Sequence, residues 1–209
     1  MWTTNKMEFE KAIEELKGEK KRKFSQSVDL VVNLKNFDVR KEAINIFIQL
    51  PNPTDKKICG FLTKKTKLVD SITKEEFEKF KTPKQIKHLA KSYDFFIAAA
   101  PLMGAIATKF GRVFGPLNKM PSPQGGIIPI DNDDAITAMT KKMKSQLRVK
   151  TKEKSVKVSI GKEDMPIEQL KENMEAVIHE LENKLPQKKE NIKNVLVKFT
   201  MSKPLEVKF

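Results

Sequence analysis

The residues best suited to chemistry in this sequence form an alternating row. Every second position from 27 to 35 is polar except 31, and the row comprises Ser27, Asp29, Asn33 and Lys35. Just before this row, the cationic run 20–23 stands next to Phe24. Cations bind phosphates and an aromatic ring packs on a base or a ribose, so the combination is typical of RNA binding. A solvated, half-buried strand in which Phe24 caps the core explains the same residues equally well.

The elements that must position this row follow from its neighbours. The alternate positions are all apolar, which predicts a strand with one apolar face; they are Val28, Leu30, Val32 and Leu34. A helix is predicted over 5–18, and alternation over 44–50 predicts a second strand. That strand is antiparallel to the first if the turn between them is a simple hairpin. Pro51 and Pro53 end it abruptly and indicate a domain boundary.

The middle of the chain has a different pattern. Short apolar runs, typical of buried strands, occur at 57–62, 93–100 and 127–130. Helical stretches separate or follow them, at 74–80, 84–91, 101–110 and 133–144. This order predicts a small doubly wound α/β domain with a parallel sheet between helices.

Alternation returns after residue 145. The pattern predicts a second hairpin, with strands at 147–151 and 156–160, and one long helix over 165–185. It also predicts two terminal strands, at 194–200 and 205–209. The fold class is therefore α/β (α+β) in two domains. Residues 1–55 and 145–209 form a discontinuous domain of antiparallel sheet plus two helices, and residues 56–144 form an inserted, three-layer, Rossmann-like α/β domain. The two crossings between the domains favour a hinge.

Composition limits the class of partner. The 209 residues carry a net charge of +14 with a pI near 9.7, which favours RNA, DNA or an acidic membrane surface. The lysines are spread along the chain, so the basic surface belongs to folded elements. Neither a signal peptide nor an apolar run of about 20 residues is present, so a cytoplasmic protein is expected. A single cysteine excludes an internal disulfide and fits a reducing compartment, and no long heptad pattern suggests self-association.

The sequence offers no positive sign of catalysis. His88 and His179 are the only histidines, and they lie in different predicted helices and different predicted domains. A shared metal site or a histidine-based triad is therefore not expected. Cys59 lies in a predicted buried strand, where packing is its expected role. No pair of acids stands out as general acid and base, so we predict no catalytic residue, no metal and no cofactor.

The segment 111–126 is the most unusual loop of the sequence. It holds four glycines and three prolines, together with the cations Arg112 and Lys119, which are expected to be exposed. It matches neither a Walker loop nor the dinucleotide fingerprint. Two interpretations stay open for it, a rigid connector or a stiff basic loop that meets a phosphate backbone. A rival hypothesis makes it the nucleotide-binding loop of an α/β enzyme.

Small hydroxyl residues interrupt the C-terminal strand pair. Thr200 and Ser202 fall in a predicted turn at 200–204. In an antiparallel sheet this turn could lie beside residues 24–27, where hydroxyls would let RNA approach the backbone closely.

Three segments together resemble the ribosomal protein L-one family, the protein of the mobile large-subunit stalk, especially its archaeal and eukaryotic branch. The first runs from Lys23 through the strand to Lys35. The second comprises 93–98, 102–104, the Gly-Arg-Val-Phe-Gly-Pro of 111–116 and the Lys-Met-Pro-Ser-Pro of 119–123. The third is Thr200-Met201, after which the family often has glycine and this chain has Ser202. The matches occur in the family's order and span nearly the whole chain.

The resemblance implies a structural, non-enzymatic protein of the large ribosomal subunit. Its partners would be stalk rRNA, the deacylated tRNA leaving the exit site and, in some members, an mRNA that mimics the rRNA site and is thereby repressed. The protein would be a monomer off the ribosome. The implied RNA-binding residues are Lys23, Phe24, Ser27, Asp29, Asn33, Lys35, Lys162, Thr200, Met201, Ser202 and Lys203. A secondary RNA contact is implied for Arg112, Lys119 and Met120.

Overall fold

The computed structural model describes residues 7–18, 22–38, 44–123, 125–129, 131–151 and 153–208. The α-helices in these ranges are α1 (Phe9–Gly18), α2 (Pro83–Ser92), α3 (Met103–Phe114), α4 (Asp133–Ser145) and α5 (Ile167–Lys184). The strands are β1 (Ser27–Leu34), β2 (Asn45–Gln49), β3 (Ile58–Phe61), β4 (Asp70–Ile72), β5 (Phe95–Ala99), β6 (Ile127–Ile128), β7 (Gln146–Lys150), β8 (Ser155–Lys162), β9 (Ile192–Phe199) and β10 (Leu205–Val207). The predicted mixed α/β class is confirmed.

The chain forms two compact units. Met1–Thr54 and Ser145–Phe209 make up the first, here called the terminal unit. Asp55–Lys144 makes up the second, the inserted unit. The start of the helix predicted at residue 5, and the ends of the strands predicted at residues 130 and 209, fall outside the described residues.

The terminal unit is built on a four-stranded antiparallel sheet in the order β10-β9-β1-β8. Strand β1 alternates between buried and half-buried residues along its whole length, as its sequence predicts. Its apolar side chains join those of α1 and α5 in one core. The two helices therefore cover one face of the sheet, and the polar row of β1 lies on the other.

Two strand pairings differ from the prediction. Strand β2 pairs with β7 and not with β1, and β7 and β8 do not form a hairpin ladder because β8 pairs with β1. The physical reason is length. Strands β8 and β9 have eight residues each and occupy both edges of the eight-residue β1. The five-residue strands β2 and β7 are left to pair with each other.

The inserted unit has a parallel sheet in the order β4-β3-β5-β6. Helices α2 and α3 pack on one face around Phe61 and Phe96, and α4 packs on the other face through Ile136 and Met143. This arrangement gives three layers. Strand β4 escaped prediction because its three residues are mostly polar and carry no periodic signal.

Two helical predictions need correction in this unit. The stretch predicted at 74–80 is a 3-10 helix, Lys74–Lys79. The helix predicted to end at Phe110 continues to Phe114, so the first residues of the supposed loop 111–126 belong to α3. Apolar Phe114 is fully buried, which extends the helical stripe by one more turn. None of the described helices is long and apolar enough to cross a membrane.

A buried side-chain amide forms hydrogen bonds with the segment that leads out of the terminal unit. Asn173 of α5 has no exposed surface. Its Nδ2 donates to the carbonyl oxygens of Asn52 and Ile160 at 3.0 and 2.9 Å, and its Oδ1 accepts from the Asn52 amide at 3.0 Å. Asn173 thereby ties the proline-flanked residue Asn52 to the sheet.

Replacing Asn173 with alanine should destabilise the protein. The substitution leaves two carbonyls and one amide without their partner, which costs roughly 2–3 kcal/mol in the free energy of unfolding. Denaturant unfolding measures this loss. Asn183→Ala is the matched control, because Asn183 is exposed on the same helix and its side chain has a single hydrogen-bond partner, His179, among the described residues. Equal stability of the two variants would contradict the role given to Asn173.

Candidate RNA-binding site

The polar row predicted from the sequence lies on the sheet face that points away from α1 and α5. Ser27, Asp29 and Asn33 are all half-buried there. Strand register places Lys198 of β9 beside Asp29 and Asn194 of β9 beside Asn33. The Asn33 Nδ2 donates to the Asn194 Oδ1 at 2.8 Å. The face is therefore an ordered row of donors and acceptors, called here the polar face.

Asp29 is the one acid in this row, and its position costs stability. Burial raises the pKa of the Asp29 carboxyl above its ordinary value, against the opposing effects of Lys198 and of hydrogen bonds with Ser27 and Ser159. A carboxylate that is partly desolvated on folding lowers the stability of the folded protein. Such a group is typical of a site where an acceptor is needed for a partner.

The start of β1 meets the turn after β9, as the sequence suggested. The Ser27 amide donates to the Thr200 Oγ1 at 3.1 Å, the two hydroxyl oxygens are 2.9 Å apart, and the Thr200 amide donates to the Ser27 carbonyl at 3.2 Å. A longer contact of 3.4 Å from the Thr200 hydroxyl to the Ser27 carbonyl is the fourth between these residues, which are 173 positions apart in the chain. This Ser27–Thr200 junction leaves both hydroxyls at the surface.

Ser202 fits its turn without a left-handed backbone. Among the described residues other than glycine, positive φ angles occur at Asn36, Asn118 and Lys188. Ser202 instead caps the end of β9, because its Oγ accepts from the Phe199 amide at 2.8 Å and its amide donates to the Phe199 carbonyl at 3.1 Å. The departure from the family's glycine is therefore tolerated by the local geometry.

Two large apolar side chains stand exposed next to the junction. Phe24 is 54% exposed and Met201 is 59% exposed. Phe24 therefore does not cap the core, which removes the alternative interpretation of the segment before β1. Exposed apolar side chains beside a row of hydrogen-bonding groups can pack on bases while the polar groups bind the ribose.

Gln26 is a buried residue of the candidate site that local sequence patterns do not single out. It is 5% exposed, and its Oε1 accepts from the Met201 amide at 3.2 Å. Its backbone amide and its Nε2 each lie 3.4 Å from the Glu163 Oε2, and its carbonyl accepts from the Glu163 amide at 2.8 Å. Next to it, the Ser25 hydroxyl donates to Asp164. Gln26 thus holds three separate segments together.

A signal for Gln26 was present in the sequence. Position 26 is in phase with Val28 and Leu30, so Gln26 is a polar residue on the apolar side of the strand register. A buried amide requires hydrogen-bond partners, and the partners here come from the loop after β8 and the turn after β9. Their identity could not be inferred from β1 alone.

The cations lie around the polar face at both of its ends. Lys23, Lys162 and Lys203 are exposed, and register places Lys162 opposite Ser27. Lys35 is exposed just beyond the other end of β1. Six residues of strand separate Ser27 from Asn33 by roughly 20 Å, so the predicted residues form a strip along β1. Two cations of the run before Phe24, Lys20 and Lys21, lie outside the described residues.

The three residues predicted to make a secondary RNA contact have different surroundings in the inserted unit. Arg112 is exposed in the last turn of α3. Lys119 was expected to be exposed but is half-buried, and its Nζ donates to the carbonyls of Ala90 and Tyr93 at 2.7 and 2.5 Å, at the end of α2. Met120 packs against the core of the inserted unit that contains Phe61 and Phe96. These contacts favour a structural connector over a nucleotide-binding loop, because the ammonium of Lys119 is engaged by the protein itself.

Cys59 behaves as a packing residue. Its side chain is buried in β3, and burial raises the pKa of the thiol to about 12. Such a thiol is a poor nucleophile. Over the ranges that the structure describes, His, Cys, Asp and Glu side chains nowhere form a group of three or more able to hold a metal ion.

Comparison with known proteins gives the family. The fold defines a mixed α/β protein with one antiparallel and one parallel four-stranded sheet. The model of the Ribosomal protein L1p/L10e family matches residues 16–203. The large ribosomal subunit protein uL1 of Thermococcus kodakarensis is 38% identical and covers 94% of both chains. Those of Thermofilum pendens and Nanoarchaeum equitans are 34% and 36% identical, over 95% and 90% of this chain and 92% and 93% of their own. The chain belongs to the ribosomal protein L1p/L10e family, which confirms the resemblance inferred from its motifs.

Removing the Gln26 side chain should loosen the turn that carries Met201. In Gln26→Ala the Met201 amide loses its acceptor, so hydrogen exchange at that amide should accelerate and stability should fall by about 1–3 kcal/mol. Gln49→Ala, at an exposed position of β2, is the control and should change neither quantity. Unchanged exchange at Met201 in Gln26→Ala would show that Gln26 does not hold the turn.

Neutralising Asp29 should stabilise the protein near pH 7. Because the folded-state pKa of Asp29 is raised, the folded protein binds more protons than the unfolded chain, and stability falls as pH rises through that pKa. Asp29→Asn should therefore raise the thermal midpoint at pH 7, with the difference from the parent closing as both proteins are acidified. Lys198→Gln should shift the NMR-detected titration of Asp29 further upward. A downward shift would contradict the electrostatic account.

Proposed function

We propose that this chain is a structural protein of the large ribosomal subunit that binds the rRNA of the stalk through the polar face of its terminal unit. The observation that carries the proposal is the exposure of two large apolar side chains, Phe24 and Met201, close in sequence to the Ser27–Thr200 junction. Its relatives are named as proteins of the large ribosomal subunit. This role places the protein on the ribosome, in the cytoplasm.

Each part of the site has a task in this proposal. Phe24 and Met201 pack on bases or riboses, while Ser27, Thr200 and Asp29 exchange hydrogen bonds with 2′-hydroxyls. The cations that flank the strip bind phosphates; they are Lys23, Lys35, Lys162 and Lys203. Asn33 and Ser202 complete the hydrogen-bonding surface. Shape and hydroxyl recognition then add specificity to an attraction that charge alone would supply to any RNA.

The finer roles rest on the family and on the two chain crossings between the units. We infer that the protein assists the exit of deacylated tRNA, with a hinge that lets the units adjust as the stalk moves. Arg112 and Met120 of the inserted unit make the secondary RNA contact, and Lys119 supports them from within the protein. Binding to an mRNA that mimics the rRNA site would repress its translation. No reaction is catalysed in any of these roles.

The decisive experiment is a binding assay of the purified protein with a stalk-type rRNA fragment. An unrelated structured RNA serves as competitor, and the measurement is made at two salt concentrations. Nanomolar affinity that survives the competitor and about 0.2 M salt supports specific recognition, since charge alone seldom persists there. Affinity lost to either challenge would leave only non-specific attraction and would overturn the proposal.

Phe24→Ala and Thr200→Ala should each weaken stalk-rRNA binding roughly tenfold, because one loses a stacking surface and the other a hydroxyl at the junction. Binding to the unrelated RNA should change less than twofold, since neither residue carries charge.

The chain offers matched controls for both variants. Thr200→Ser keeps the hydroxyl and should retain most of the affinity. Leu68→Ala removes another exposed apolar side chain, in the inserted unit, and should leave binding unchanged. Equal losses on the two RNAs would exclude Phe24 and Thr200 from recognition.

A further inference from the structure

A groove with an apolar floor runs between α1 and α5, on the side of the terminal unit opposite the polar face. Its volume is about 530 Å³. Phe9, Met174 and Ile178 form the floor, and each also belongs to the core of the unit. The floor is therefore rigid, and the groove is preformed.

The walls of this groove are acidic. Four glutamates line it, Glu8, Glu10, Glu175 and Glu182, against two lysines, Lys171 and Lys208. Lys171 is already bound to the Glu10 Oε1 at 2.8 Å, which raises the pKa of its ammonium. Glu182 makes no hydrogen bond or salt bridge within the described part of the chain. Glu8 is likewise paired with Lys11 of α1, at 3.1 Å. Four glutamates against the two lining lysines and Lys11 still leave the groove with a net negative charge.

This charge is opposite to that of the molecule as a whole. Helices α1 and α5 together carry eight glutamates and four lysines, in a chain of net charge +14. Acid is thus concentrated in the helical layer, while the cations lie elsewhere. Such an asymmetry repels RNA from the helical layer and attracts a cationic partner to it.

The fold keeps the groove accessible during RNA binding. Side chains of β1 alternate between the two faces of the sheet, so the helices and the polar face lie on opposite sides. RNA held on the polar face therefore leaves the groove uncovered by that contact. A second partner can be bound at the same time.

We propose that the groove between α1 and α5 is a docking site for a lysine- or arginine-rich protein segment that carries an apolar side chain. The charged residues of the segment pair with the glutamate walls, and its apolar residue rests on the floor formed by Phe9, Met174 and Ile178. The remainder of the protein repels a cationic segment, so the helical layer is the surface that charge selects. This surface is independent of the proposed RNA contact.

The test uses the full chain and a fluorescent twelve-residue peptide of lysine, arginine and leucine, measured by anisotropy in the absence of RNA. We expect Glu175→Gln/Glu182→Gln to weaken peptide binding about tenfold. Glu168→Gln/Glu180→Gln is the matched control, since it removes the same charge from α5 at positions that do not line the groove. It should weaken binding less than twofold.

A second peptide with serine in place of leucine tests the floor, and it should bind at least about fivefold more weakly than the first. Equal effects of the two glutamate pairs would show that only net charge matters and would overturn the proposal. Equal binding of the two peptides would also overturn it. Stalk-rRNA affinity of the Glu175→Gln/Glu182→Gln variant should stay at the parent value, so failure here is distinguishable from failure of the rRNA role.

Discussion

The structure depends on the burial of one face of strand β1. Val28, Leu30 and Val32 have no exposed surface, and the strand is hydrogen-bonded along both edges. A strand held in this way cannot slip, because a shift of one residue would bring Ser27 and Asp29 into the core. The register that buries the apolar side chains is therefore also the register that displays the polar ones. The register of β1 therefore determines both the core and the candidate site.

The site is assembled from segments that only the sheet brings together. Strand β9 returns from the far end of the chain to pair with β1, and its last turn places Thr200 against Ser27. The loop after β8 supplies Glu163. Gln26 hydrogen-bonds both to this loop, through Glu163, and to the turn after β9, through the Met201 amide. The hydrogen bond from the Met201 amide to Gln26 thus holds the backbone that carries the exposed Met201 side chain. If the proposed RNA contact forms here, preorganisation of this type lowers its entropic cost.

Charge is distributed unevenly between the polar face and the helical layer of the terminal unit. Lysines flank the polar face at both ends, whereas glutamates dominate the helical layer behind it. A uniformly basic protein would bind RNA in any orientation. In the proposed RNA-binding role, an acidic layer on the opposite side would restrict productive encounters to one face, because like charges repel at distances up to the Debye length.

The mixed α/β class, the polar row of β1 and the family could all be predicted from sequence patterns, because periodicity and motifs are local properties of the chain. Such patterns could not determine strand order, since β2 and β8 are both alternating strands and only their lengths and shared core select the partner of β1. Local patterns likewise could not show that Lys119 turns inward to the carbonyls of Ala90 and Tyr93, or that Gln26 joins three segments. These features depend on contacts between residues far apart in sequence, and such contacts exist only once the core has closed.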